Sequence, residues 1–202
     1  MSRHFNIADT DIYIAPIGNL DTLIAKATPQ QMQLIAEVVS PRRQAEILAT
    51  RQLVCEILGP QASIGHNPDG SPNIIGSDLN ISISHSRDYV AIALNARQRI
   101  GIDIESWRNS LNTVREKFLT PTEIAIYNTP ELLLQAWTAK EAIYKAAGIT
   151  GLPFHDINLP SDPTSPTAKV LHSDTAPHSR HTHIFTLHTH TTSDFTLTLA
   201  YK

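Results

Sequence analysis

The chain has 202 residues, with 16 lysines and arginines against 19 aspartates and glutamates, and a formal net charge of −3 at pH 7. So even a balance leaves no electrostatic footprint for nucleic acid or an anionic membrane surface, and no apolar run nears the roughly 18 residues of a membrane-spanning helix. The single cysteine, Cys55, excludes an intrachain disulfide and a thiolate metal cluster built within one chain.

This length suits one large domain or two small ones, and either buries a sizeable core. Polar residues rather than an apolar signal segment come after Met1-Ser2-Arg3-His4, so the expected compartment is the cytoplasm. Ile12-Tyr13-Ile14-Ala15 predicts a short first strand, stopped by Pro16 and Gly18. Pro29 opens a helix through Met32, Leu34, Ile35, Val38 and Val39. Ser40 then Pro41 reads as an N-cap followed by proline at the first helical position, and an amphipathic helix runs from there to Leu58, ended by Gly59-Pro60. Cys55 fits that helix's apolar pattern with Ile47, Val54 and Leu58, as a small buried hydrophobe. The same helix carries Arg42, Arg43 and Arg51, which on an ordinary helix are solvated.

Asn67-Pro68-Asp69-Gly70 is a turn. Leu79 to Ser84 alternates as a half-buried strand, the turn His85-Ser86-Arg87-Asp88 comes next, and Tyr89 to Leu94 returns, a β-hairpin with His85 at its tip. Ile100, Ile102 and Ile104 then alternate with Gly101, Asp103 and Glu105. That period of two predicts a strand with one apolar and one polar face, both carboxylates pointing the same way. Two acids so placed beside an apolar flank are costly to keep ionised without a cation between them, and a hard divalent ion with oxygen ligands suits the position.

Residues 106–117 carry Trp107, Arg108, Arg115 and Lys117 with few core residues, a surface loop or short helix that is either simply solvated or grips an acidic partner. Thr120 with Glu123 three residues on is a capping box with Pro121 at the first helical position, which accounts for Glu123 locally. Thr129-Pro130 starts the next helix. Leu132, Ala136, Ala139, Ile143 and Ala146 form its buried stripe, and Gly148 ends it. Glu141 and Lys145 lie one turn apart, away from that stripe. They make either an exposed helical ion pair or, joined to Asp103 and Glu105, a metal-assisted phosphate site.

From Pro160 to His178 prolines, serines and threonines dominate, giving a variable loop or short hairpin. His172, His178, His181, His183, His188 and His190 crowd the C-terminal portion of the chain. His181 with His183, or His188 with His190, could chelate a transition metal from one strand face, against the plainer reading of polar threonine-histidine faces. Phe195 to Tyr201 is the last strand.

Gly-Ile-Asp-Ile-Glu at 101–105 and Trp-Thr-Ala-Lys-Glu-Ala-Ile-Tyr-Lys at 137–145, with Ile83-Ser84-His85-Ser86 upstream, together resemble the signature of the 4′-phosphopantetheinyl transferases. The likeness covers residues 40–154, including Phe118–Glu123 and Gly151–Phe154. It implies an α/β (α+β) fold of two similar α/β halves related by pseudo-twofold symmetry, the longer, surfactin-synthetase-activating type rather than the short trimeric one. The halves would be 1–99 and 100–202, with the site in the cleft between them and the protein a monomer. The implied activity moves the 4′-phosphopantetheine group of coenzyme A to a serine of an apo acyl or peptidyl carrier protein, releasing 3′,5′-ADP.

Carried over position by position, the resemblance makes Asp103, Glu105 and Glu141 the ligands of magnesium, or of manganese in its place. Glu141 takes the serine proton, and Asp103 and Lys145 complete the catalytic set. Arg43 and Arg51 on the basic helix, Ser84 and His85, and Lys140 and Lys145 would contact coenzyme A. Ser71, in Gly70-Ser71-Pro72, departs from the family, which commonly has a basic residue there. Three other readings stand beside this one. The first is a catalytically silent relative that only binds carrier proteins, and the second is a metal module built on the histidine-rich tail. The third is a serine hydrolase using Ser84, His85 and Asp103, which the opposed directions of adjacent Ser84 and His85 and the missing Gly-x-Ser-x-Gly elbow disfavour.

Overall fold

A computed structural model of the chain describes residues 2–107, 111–173 and 180–202. It divides into two compact units, Met1–Ala96 and Arg97–Lys202. Arg108 and His178 lie outside the described residues.

The first unit contains β1 (Arg3–Ile7), β2 (Thr10–Pro16), α1 (Leu20–Lys26), α2 (Pro29–Ile35), α3 (Pro41–Leu58), β3 (Ile64–His66), β4 (Pro72–Ile74), β5 (Asn80–His85) and β6 (Tyr89–Asn95). Its main sheet has the order β1-β2-β6-β5, antiparallel throughout. The long helix forms where the capping signals place it. The Ser40 side chain accepts from the Arg43 amide, Pro41 opens the first turn, and Gly59 ends the helix at φ 97°. Leu48, Leu53 and Val54 then pack on Val90 and Ile92 of the sheet.

Three features of this unit differ from expectation. Strand β1 precedes the predicted first strand and joins it through Ala8 and Asp9, both at positive φ (48° and 59°), the backbone of a tight hairpin turn. Helix α1 is short and buries only Leu23, so it has little apolar period to read. Helix α2 ends at Ile35 instead of Val39, because Ser40 is extended (φ −76°, ψ 117°) to cap α3, and Val39 is left exposed.

The second unit contains β7 (Ile100–Ser106), α4 (Leu111–Val114), α5 (Pro121–Ile126), α6 (Pro130–Ala147), β8 (Ile157–Asn158), β9 (Thr167–Ser173), β10 (Arg180–Thr191) and β11 (Phe195–Tyr201). Its antiparallel sheet has the order β7-β11-β10-β9-β8. The hairpin β9–β10 is longer than the variable loop or short hairpin expected from Pro160 to His178, since Ala168, Val170, Phe185 and Leu187 bury one face of its strands, while Leu171 and Ile184 are left exposed. Thr129 caps α6 by accepting from Leu132, and Gly148 ends it in the left-handed region (φ 63°). Ala139, Ala142, Ile143 and Ala146 pack on Val170, Phe185, Leu187 and Ala200.

Gly101 sets how closely α6 approaches the sheet. A Cβ on it would run into the backbone of Ala142 and of Ala146. The face of β7 that carries Gly101, Asp103 and Glu105 is therefore turned toward α6, and the polar face read from the sequence is a covered one, with Asp103 buried and Glu105 half-buried. Among the described residues no helix is long and apolar enough to cross a membrane.

Candidate active site

The two sequence motifs meet in the second unit. Lys145 Nζ donates to Asp103 Oδ1 at 2.8 Å and to the Ile102 carbonyl at 2.9 Å. Asp103 is placed by β7, whose register sets it opposite Thr198, and the Thr198 hydroxyl bonds those of Thr138 on α6 at 2.8 Å and Thr189 on β10 at 3.1 Å. A polar seam thus fixes the strand beside the acid. Glu105 stands opposite Thr196 on the same face. Glu141 precedes Lys145 by one helical turn, so both project from one side of α6.

Three carboxylates are the right donors for a hard divalent cation, and Oδ2 of Asp103 is buried and accepts no hydrogen bond. The donor chemistry fits. The arrangement is not a finished cage, because among the described residues no three His, Cys, Asp or Glu side chains form a group that could hold a metal. The cation on Asp103 here is the Lys145 ammonium.

Lys140 is a correction to the resemblance. Its side chain is 0 % exposed, and Nζ donates to Glu123 Oε2 at 2.8 Å and to the Phe154 carbonyl at 3.0 Å. Burial pulls its pKa below the ordinary lysine value, partly offset by the hydrogen bond and charge of Glu123. It therefore has no surface to offer a coenzyme. Glu123 forms the capping box read from sequence and also accepts from the Leu159 amide at 2.9 Å, so the pair ties α5, α6 and the segment after α6 together. The sequence gives no sign of that tie, because the capping box already explains the glutamate.

In the first unit Arg43 and His85 are brought together. Arg43 Nη1 lies 2.9 Å from His85 Nε2. Ser84 is buried and His85 exposed, on opposite faces of β5 as alternation requires, which is not the geometry of a nucleophile and its base. Arg51 does not join this cluster. Its Nη1 donates to the Ile64 carbonyl at 2.7 Å, fastening α3 to β3, and burial lowers its pKa. Sequence reasoning missed Glu46, which accepts from Arg42 Nε and Arg43 Nη1, both at 3.1 Å. The signal was present, since Glu46 stands three and four residues after the two arginines on one helix.

Ser71, the departure from the family pattern, serves the β3–β4 turn. Its amide and hydroxyl both donate to Asp69 Oδ1, at 2.9 and 2.6 Å. Trp107 is partly exposed and donates to the Thr192 carbonyl at 3.1 Å. His181 and His183 stack at 6.5 Å, while His188 stacks on Tyr201 and approaches its hydroxyl to 3.0 Å. Cys55 is half-buried rather than buried, against the carbonyls of Pro60 and Ala62.

Residues 99–200 match the family model described as the 4′-phosphopantetheinyl transferase superfamily. The chain belongs to that superfamily, and its mixed α/β architecture agrees with it. It is similar to the 4′-phosphopantetheinyl transferase AcpT of Salmonella typhimurium, 32% identical over 148 residues, which are 68% of this chain and 75% of that one. It is also similar to the 4′-phosphopantetheinyl transferase HetI of Nostoc sp., 26% identical over 171 residues, 75% of this chain and 72% of that one. A holo-[acyl-carrier-protein] synthase of Wolinella succinogenes is 48% identical over a shorter stretch of 52 residues, 24% of this chain and 43% of its own length.

Proposed function

We propose that this protein transfers the 4′-phosphopantetheine group of coenzyme A to a serine hydroxyl of an apo acyl or peptidyl carrier protein, leaving the holo carrier and 3′,5′-ADP. The observation that carries this reading is the 2.8 Å contact of Lys145 with Asp103, which joins the two signature motifs of the superfamily. Each unit sets one 18-residue helix on an antiparallel sheet, which supports the longer, two-half type. We read the enzyme as cytoplasmic and monomeric.

In the reaction the serine oxygen attacks the β-phosphorus and the β-phosphorus–bridging-oxygen bond to the departing 3′,5′-ADP breaks, so negative charge grows on that oxygen as it leaves with the α-phosphate. Lys145 stands as a cation beside that charge, where a fixed donor is worth more than in water. Asp103, Glu105 and Glu141 would hold magnesium, or manganese in its place, which when bound supplies Lewis-acid neutralisation of the diphosphate. Glu141 takes the serine proton as general base. Arg43 and His85 contact the phosphates of coenzyme A, the planar guanidinium matching phosphate oxygens.

The test is mass spectrometry of apo carriers of the fatty-acid, polyketide and peptide-synthetase classes, each incubated with coenzyme A, magnesium and the protein. At least one carrier should gain the phosphopantetheine mass. Asp103→Asn, folded by circular dichroism, should transfer at least about 100-fold more slowly. Turnover near wild type in that variant removes the role given to the acids, and carrier binding without any mass gain identifies a silent relative instead.

A further inference from the structure

The first unit holds a charge cluster that the transfer reading uses only in part. Glu46 is 7 % exposed on α3, and its two oxygens are engaged separately. Oε1 accepts from Arg42 Nε and Oε2 from Arg43 Nη1, each at 3.1 Å. From β5, His85 brings Nδ1 to 3.8 Å of Glu46 Oε2 and Nε2 to 2.9 Å of Arg43 Nη1. Burial alone works against the charged form of Glu46, but the Arg43 hydrogen bond, the charge His85 carries when protonated, the Arg42 hydrogen bond and the Arg43 charge together outweigh it and hold the carboxyl below the ordinary glutamate range.

These contacts constrain the histidine's proton. A guanidinium has donors only and keeps its charge in proteins, so the His85 nitrogen facing Arg43 is the acceptor and Nε2 carries no hydrogen. An ionised carboxylate has acceptors only, so Nδ1, the nitrogen facing Glu46, carries the hydrogen. Both neighbours select the same neutral tautomer, and they also fix which edge of the ring points outward.

We propose that Glu46 is a positioning residue for anion recognition: in the coenzyme-free protein it accepts from the Arg43 fork directly and sets His85 as the Nδ1–H tautomer, whose Nε2 accepts from the same guanidinium and steadies it from a second side. The identity of the anion, a phosphate of coenzyme A, rests on the transfer reading. The proton placement does not. Pre-setting the guanidinium lowers the ordering cost of binding, so the effect belongs in the affinity for coenzyme A and not in the chemical step.

The experiment compares wild type with Glu46→Gln, which keeps the side chain's size and removes its charge, and with Arg42→Gln, which removes a positive charge but leaves Glu46 on Arg43 and His85. In the coenzyme-free proteins, ¹⁵N shifts of the His85 ring should report hydrogen on Nδ1 in wild type and Arg42→Gln. In Glu46→Gln they should move toward the Nε2–H form. Calorimetry with coenzyme A alone should show an affinity loss of roughly tenfold in Glu46→Gln, mirrored in KM with kcat unchanged, and a smaller loss in Arg42→Gln. An unchanged His85 signal in Glu46→Gln overturns the proposal, and so does a changed signal with unchanged affinity for coenzyme A. Because affinity is read without a carrier, binding with no transfer counts against the transfer reading and not against Glu46.

Discussion

Helix α6 carries two lysines, Lys140 and Lys145, and each holds a carboxylate at 2.8 Å, yet the two pairs are built to different ends. Around Lys140 every oxygen of the partner is used: Glu123 Oε2 accepts from Nζ and from the Thr120 amide and hydroxyl, and Oε1 accepts from Leu159. Around Lys145 the side chain is 28 % exposed and the partner keeps a buried oxygen that accepts no hydrogen bond. Saturated hydrogen bonding around a fully dry ion pair marks a fastening. An ion pair that is half wet and unsaturated can exchange one of its members for a ligand, and the same chemical pair then serves reactivity instead of the fold.

The largest effect should fall on the saturated pair. Lys140→Met leaves the Glu123 carboxylate buried without its cation, and breaking such a pair costs about 3–5 kcal/mol. Urea unfolding should show that loss, and adding Glu123→Gln should restore part of it, because no uncompensated charge then remains. A Lys140→Met protein as stable as wild type would erase the distinction drawn between the two lysines.

Next in size is Gly101→Ala. The added methyl meets backbone of Ala142 and Ala146, which cannot rotate aside as a side chain can. Overpacking of this kind costs about 1–3 kcal/mol. Because α6 must lift from β7 to admit the methyl, Lys145 moves off Asp103, and transfer should fall beyond what the loss of folded protein explains. Assaying at a temperature where both proteins are fully folded separates the two effects.

Legibility in the sequence depends on where each feature takes its information. Helices α3 and α6 are readable because Ser40-Pro41, Thr129-Pro130, Gly59 and Gly148 state their limits in adjacent residues. Strand β11 is readable for the same reason, as an uninterrupted alternation. Strand β1 was not, since Arg3, His4 and Asn6 are exposed and its turn lacks the glycine that would announce it. Of the candidate site, the sequence supplied Asp103, Lys145, Arg43 and His85 but could not tell Lys140 from Lys145. Their difference lies in Glu123 and Phe154, contacts made across 17 and 14 residues, and no local pattern encodes such distant contacts. Glu46 was readable and overlooked, masked by the arginines beside it.

Glu46 offers an intermediate case, a buried carboxylate whose cations are more exposed than either lysine. Its folded pKa is depressed, so its contribution is present in full above the unfolded glutamate value near 4.5 and is lost as pH falls through the lower folded value. Wild type should exceed Glu46→Gln by about 1 kcal/mol at pH 7, and the gap should close on acidification below about pH 4.5. Thermal unfolding midpoints of both proteins over that range measure it, and a gap that is constant with pH would mean the carboxylate charge plays no part.

The smallest effect on folding is expected where the effect on chemistry is largest. Asp103→Asn keeps an oxygen to accept from Lys145 Nζ, and the partly exposed ammonium can turn to water, so stability should shift by no more than about 1 kcal/mol. The charge that would draw a divalent ion is nevertheless gone. Magnesium that binds the folded wild type raises its unfolding midpoint with the logarithm of one plus ligand concentration over Kd, and this rise should vanish in Asp103→Asn at equal salt. A magnesium-dependent rise that survives the substitution would move the cation elsewhere and leave Asp103 as no more than the anchor for Lys145, making the second pair a fastening like the first.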